Sequence, residues 1–211
     1  EPLLDKIIER GYKINSWAYT RVDTVRPKLL EKLKTAGINW LGIGVEAANQ
    51  QIRKEITKGS FKDVDIRDVM KEIGDAGISR GANYIFGFPN EKLEDLQATL
   101  DLALELNTEF ANFYCATALP GSPLYNEAKG KWPLPDSFEG YGFLSREFLP
   151  LPTNYLQPSE VLKFRDEAWH QYFENPVYLD MMEKKFGSQV RHNIEESTKI
   201  RLRRNLLHPS T

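Results

Sequence analysis

Six positions in the 211-residue sequence carry groups that could meet a polar small molecule: Arg21, Glu46, Lys58, Asn83, Ala116 and Thr117. Glu46 ends the uncharged run Leu41-Gly42-Ile43-Gly44-Val45, so a carboxylate stands where a strand-like segment stops. Such a group can accept both vicinal hydroxyls of a ribose. Lys58, beside Gly59, carries an ammonium that can pair with a ligand carboxylate, and the pairing strengthens in a partly desolvated mouth. Backbone groups around Ala116–Ala118 can read an adenine without any particular side chain. Each group also has a plainer use. Glu46 could favour the start of the helix AANQQIRKEI. Lys58 could be solvated, Asn83 could be a satisfied core amide, and Arg21 with Asp23 could form a surface ion pair of little worth.

These groups need a scaffold, and four segments share one plan: an amphipathic helix, a Gly or Asn, then an apolar strand. They are LLDKIIERGYKINSWAY, LLEKLKTAGINWLGIGV, VMKEIGDAGISRGANYIFGF and LDLALELNTEFANFYCATAL. Gly11, Gly37, Gly77 and Asn107 stand where a helix C-terminus wants a left-handed residue, which Gly and Asn adopt at least cost. Ala36-Gly37-Ile38 and Ala76-Gly77-Ile78 lie 40 residues apart, room for one strand, one loop and one helix. Leu29, Leu30 and Leu33, like Val69, Met70 and Ile73, give helical stripes. Thr24, Asn90 and Ser159 read as helix starts. The near-continuous apolar strands predict a parallel sheet covered on both faces. With right-handed crossovers, the fold class is α/β, a partial (β/α) barrel rather than an open doubly wound sheet. In such sheets ligands bind beyond the C-terminal strand ends, where Arg21, Glu46, Asn83, Asn90, Glu91 and Thr117 all fall.

Past residue 120 the plan changes. A Pro-, Gly- and aromatic-rich stretch with one short helix near Pro123–Lys129 leads into helices from residue 158. The expected division is a barrel portion over 1–125, an irregular connection over 126–157 and a helical appendage over 158–211.

Composition limits the partners. The chain is 41% hydrophobic and 27% charged with net charge −2, so no overall field draws it to nucleic acid or a membrane. Its apolar runs are too short to span a bilayer, and acids and lysines break up any signal-peptide pattern at the start. A cytoplasmic setting is expected. Cys115 alone excludes an internal disulfide or an all-cysteine metal site within this sequence, and it reads as a small buried hydrophobe. His170, His192 and His208 lack metal-ligand spacing. The basic run KIRLRR offers a cationic face, but such charges suit a helix C-terminus anyway, and nucleic acid is not expected.

Three motifs in register, GIGVEAANQQIRKEITKG, NYIFGFPNEKLED and ATALPGSPLYNEAK, resemble the fourth, fifth and sixth strands of radical S-adenosylmethionine (radical SAM) enzymes. WAYTRVDTV resembles their third strand. The tail from YGFLSREF onward resembles the region after the barrel in members with an N-terminal cobalamin-binding domain, such as the anaerobic magnesium-protoporphyrin monomethyl ester cyclases. The resemblance implies that Glu46 and Asn83 approach the ribose of SAM, that Lys58 meets its carboxylate, and that Ala116 and Thr117 offer backbone to adenine. It also implies that Arg21 faces the active site. The implied cofactors are SAM, a [4Fe–4S] cluster and cobalamin, serving 5′-deoxyadenosyl radical chemistry on a small-molecule substrate.

The departure from the family is the missing C-x3-C-x2-C loop, which holds the cluster. The chain also opens within a helix, without an initiator methionine. It therefore reads as part of a longer radical SAM enzyme, inactive alone, whose partner is the N-terminal part of its own parent. An open edge on its first strand would invite self-association. The competing readings are a degenerate barrel acting as a binding scaffold and a methylthiotransferase-like, RNA-modifying relative.

Overall fold

The computed structural model describes residues 2–56 and 60–208. Helix α1 (Pro2–Glu9) leads to β1 (Ser16–Arg21), α2 (Pro27–Thr35) to β2 (Ile38–Glu46), and α4 (Ile66–Asp75) to β3 (Ser79–Phe86). Helix α5 (Leu93–Leu106) then leads to β4 (Phe110–Cys115), and the short α3 (Gln50–Ile56) follows β2. All three strand pairings are parallel and the strand order is the chain order. Sequential order without reversal puts every right-handed crossover on one face, the arrangement of a barrel segment.

The four expected stop residues all take positive φ: Gly11 at 64°, Gly37 at 89°, Gly77 at 72° and Asn107 at 40°. Gly37 has a second reason to be glycine. A Cβ there would stand 2.2 Å from the Ile14 carbonyl oxygen. The expected starts are corrected. Helix α2 begins at Pro27, while the Thr24 hydroxyl donates to the Arg21 carbonyl (3.0 Å). Asn90 does not cap α5; its amide donates to Glu55 (3.0 Å) and its carbonyl accepts from Asn154 (2.9 Å). Helix α7 (Pro158–Phe173) starts one residue before Ser159. In α2 and α7 a proline occupies the first turn, where its fixed φ and absent N–H set the boundary in place of a hydroxyl.

The sheet is not covered on both faces as its apolar strands predict. Its outer face, with Leu41, Ile43, Val45, Ala82, Tyr84, Phe86, Ala111, Phe113 and Cys115, is buried under α2, α4, α5 and α7. Its inner face carries Tyr19, Gly42, Gly44, Asn83, Ile85 and Tyr114 along an open groove. Glycines at alternate positions make a half-open strand read as continuously apolar.

The C-terminal helices complete the wall and floor. Arg165 of α7 donates to the Phe113 carbonyl (2.6 Å), and Tyr172 to the Thr108 carbonyl (2.7 Å). Phe186, ending α8 (Pro176–Phe186), stacks on Trp40, which stacks on Trp17 at 4.8 Å between ring centroids. Helix α6 (Pro123–Ala128) lies in the irregular stretch, and α9 (Ser188–Thr198) ends before KIRLRR. That run has no regular secondary structure, and Arg204 within it is only 1% exposed, so it is not a uniformly solvated cationic face. Among the described residues no helix is long and apolar enough to cross a membrane.

Candidate functional site

The groove at the C-terminal strand ends encloses about 460 Å³ and is lined by Tyr19, Thr20, Arg21, Gly42, Gly44, Glu46, Asn83, Ile85 and Tyr114. The glycines of this sheet face serve their neighbours. A Cβ on Gly42 would meet the Tyr19 ring at 2.5 Å, one on Gly81 the Trp17 ring at 2.9 Å, and one on Gly44 the Glu46 Oε1 at 2.5 Å. The space over each glycine is thus taken by a side chain from the same face.

Glu46 owes its place to a local irregularity. Gly44 pairs with Asn83 and Glu46 with Tyr84, so Val45 is an extra residue, a bulge. The Ala47 amide then donates to the Val45 carbonyl at 3.0 Å, closing a three-residue turn around Glu46 with φ 68°. A positive-φ γ-turn on a residue with a Cβ is strained. The strain folds the carboxylate back over the sheet. Burial raises its pKa above the ordinary carboxylate value, and the Arg21 charge opposes that rise.

Arg21 is not half of a loose surface pair. It binds Asp23 with both arms (Nε–Oδ1 2.8 Å, Nη2–Oδ2 2.7 Å), and the Asp23 side chain is buried. Burial pushes the Asp23 carboxyl up, but Arg21 and the Lys62 amide (2.9 Å) more than offset it and hold it below its ordinary value. Asn83 is tied in as well. Its amide donates to the Ile43 carbonyl (3.3 Å), and its carbonyl accepts from Asn112 (2.9 Å).

The structure therefore brings Arg21, Glu46 and Asn83 to one groove. Ala116 and Thr117 follow β4 at the same end of the sheet, beyond the residues that line the groove. The Ala116 amide donates to the Phe86 carbonyl (2.7 Å), and its carbonyl accepts from Leu151 (3.1 Å). The Thr117 hydroxyl donates to the Cys115 carbonyl (3.0 Å). Lys58 lies outside the described residues.

Sequence reasoning missed Asn112, Tyr19, Tyr114 and the burial of Asp23. Parity was an available signal. Counting by twos from the pairs Asn83–Asn112 and Tyr19–Gly42 places the first three on the inner face.

Cys115 is buried on the outer face, and burial pushes its thiol up to about 12. Among the described residues no three His, Cys, Asp or Glu side chains stand together as a metal cluster would need. A three-cysteine iron–sulfur centre does not fit on this chain's own residues.

Comparison with known proteins finds one family match. Residues 3–103 match the radical SAM superfamily. An uncharacterized methyltransferase of Pyrococcus horikoshii is 32% identical over 123 residues, 58% of this chain and 27% of its own length. The anaerobic magnesium-protoporphyrin IX monomethyl ester cyclase of Rubrivivax gelatinosus is 29% identical over 177 residues, 83% of this chain and 31% of its own. The chain thus spans under a third of either relative. Among solved structures, TsrM from Kitasatospora setae, a radical S-adenosylmethionine methyltransferase with cobalamin and a [4Fe–4S] cluster bound, superposes with a TM-score of 0.60. It is 18% identical, and the match covers 94% of this chain and 48% of that one, a likeness of fold. The parallel sheet in chain order, its covered outer face and the TsrM superposition agree on the fold, and residues 3–103 match the radical SAM superfamily.

Proposed function

We propose that this chain supplies one side of the SAM pocket of a radical SAM enzyme. Glu46 accepts the ribose hydroxyls, with Asn83 beside it, and Arg21 sets the charge around them. Lys58 meets the methionine carboxylate. The segment at Ala116 and Thr117 lies along the adenine. Because the Ala116 amide is already engaged with Phe86, adenine recognition falls to the remaining backbone groups there. Bound SAM supplies the alkyl group or radical precursor; the residues here bind and orient it.

The observation that carries this reading is the strained turn at Glu46, which aims a half-buried carboxylate into a groove shared with Arg21 and Asn83. Strain of this kind persists where surrounding structure enforces it, commonly at ligand sites. The cluster and cobalamin, both bound in TsrM, would be held by an N-terminal part of the parent protein. The parent's reaction would then be a methyl transfer or an oxidative cyclisation of a small molecule, and this chain alone would be inactive. The helical C-terminal part speaks against a β-rich RNA-binding tail.

Calorimetric titration of SAM into the chain tests the pocket. Glu46→Ala should weaken binding by about tenfold or more, because a charged group's hydrogen bonds contribute on the order of 1.5–3 kcal/mol. Equal affinity in wild type and Glu46→Ala would overturn the assignment. Anaerobic iron–sulfide reconstitution giving a stoichiometric [4Fe–4S] cluster on this chain would overturn the division of labour.

A further inference from the structure

We propose that Asp23 and Phe61 are positioning residues of this groove: together they hold the Arg21 guanidinium and the turn that presents Glu46 as one unit. The proposal rests on the reading of Glu46 as a ligand-binding carboxylate and adds residues that reading does not require.

A continuous set of contacts carries it. Asp23, buried in the short turn Val22–Thr24 that follows β1, takes both arms of Arg21 and also the Lys62 amide. It therefore ties β1 to the segment at residues 60–62. That segment returns the contact, since Arg21 Nη2 donates to the Ser60 carbonyl at 3.1 Å. Phe61 is buried with Arg21 over its ring at 5.3 Å and Arg53 over it at 5.5 Å. Arg53, on α3, donates to the Ala47 and Ala48 carbonyls at 2.7 and 2.6 Å, the two residues that follow Glu46.

One aromatic ring thus joins two guanidinium groups. The first neighbours the Glu46 carboxylate across the groove, and the second secures the peptide groups just beyond it. Cation–π attraction grows when the cation is desolvated, and Arg53 is only 6% exposed. An alkyl side chain of similar size would fill the space without attracting either cation.

The device has an electrostatic consequence. Burial favours the protonated form of Glu46, and Arg21 favours the ionised form that accepts hydroxyl protons. Tyr19 from β1 and Tyr114 from β4 also share the groove, β3 contributes the neutral Asn83, and Arg53 also lies over the Phe61 ring. Among these described groups Arg21 is the cation that acts on Glu46. Its effect requires that it stay in place.

The test is a carboxyl carbon NMR titration of Glu46 in the 211-residue chain, with SAM affinity measured alongside. In Phe61→Leu the Glu46 midpoint should move up by about 0.5 or more, and in both Asp23→Asn and Phe61→Leu SAM should bind about threefold to tenfold more weakly near neutral pH. Phe61→Tyr, which keeps the ring, should leave both near wild type. An unmoved Glu46 midpoint in Phe61→Leu would overturn the proposal, and so would a Phe61→Tyr variant as impaired as Phe61→Leu. If the midpoint moves as expected but SAM fails to bind the wild type, the positioning unit stands and the ligand assignment falls.

Discussion

Arg204 grips the Asp166 carboxylate with two parallel bonds, Nε to Oδ2 at 2.8 Å and Nη2 to Oδ1 at 3.0 Å, across 38 residues of sequence. Its remaining arm donates to the Ser145 carbonyl at 2.7 Å, and Arg165 shares the same carboxylate at 2.8 Å. Burial pushes the Asp166 carboxyl up, but the two arginines more than offset this and hold it low. The irregular C-terminal segment is thereby fastened to α7 and the long stretch before it.

Arg204→Met should lower stability in urea denaturation by about 3 kcal/mol, at the lower end for breaking a buried pair because Arg165 remains. Arg204→Lys should recover less than half of that, since an ammonium cannot make the two parallel bonds. Midpoints unchanged in both variants would show that the grip contributes nothing.

Glu91 gives the fold a pH dependence of unusual sign. Its side chain is 0% exposed; Oε2 accepts the Gly87 and Phe88 amides (2.7 and 2.9 Å), and Oε1 is buried without a hydrogen-bond partner. Burial outweighs the two amides and raises its pKa to about 7. The folded chain therefore keeps a proton that the unfolded chain gives up near 4.5, and stability falls as pH rises between those values, by about 3 kcal/mol. Glu91→Gln should flatten that slope in thermal melts from pH 4.5 to 7.5. A slope that survives the substitution belongs to another group.

Glu109 acts in the opposite direction. Burial opposes its ionisation, but Arg80 and Lys185 hold it at about 2. Its contribution is complete above about 4.5 and is lost as pH falls toward 2. Glu109→Gln should therefore cost about 3 kcal/mol at neutral pH and almost nothing near pH 2, as urea midpoints at the two pH values would reveal. An equal loss at both would point to packing alone.

Strand β1 pairs only with β2 among the described residues, and its Tyr19 is 78% exposed. An unpaired, aromatic edge invites pairing with another chain. Sedimentation velocity should show association that grows with concentration, and Tyr19→Lys should shift it toward monomer. Sedimentation independent of concentration would rule the association out.

Much of this was legible from residue order. Gly11, Gly37, Gly77 and Asn107 announced the helix ends because few residues accept a left-handed backbone cheaply. Glu46 announced itself because a charge after five uncharged residues needs a reason. What lay hidden depended on partners distant in sequence. Nothing local says that Asp23 is buried, since the Lys62 amide that helps satisfy it is 39 residues away. Arg204 looked like one of several surface cations until Asp166 met it. The left-handed turn at Glu46 arises from the register between β2 and β3, which no single strand encodes. The openness of the inner face was masked because Gly42 and Gly44 count as apolar in a strand while presenting no side chain.

Those glycines have a kinetic consequence. Tyr19 rests over Gly42, Trp17 over Gly81 and the Glu46 carboxylate over Gly44, so the groove's capacity is stored in side-chain torsions rather than in strand positions. Exposed side chains change rotamer in picoseconds to nanoseconds, whereas packed elements shift over microseconds or longer. A turn of the exposed Tyr19 ring alone would uncover bare backbone at Gly42 and deepen the groove without moving a single Cα. The rigid sheet can in this way present a ligand with a cup whose depth adjusts on the timescale of the encounter itself.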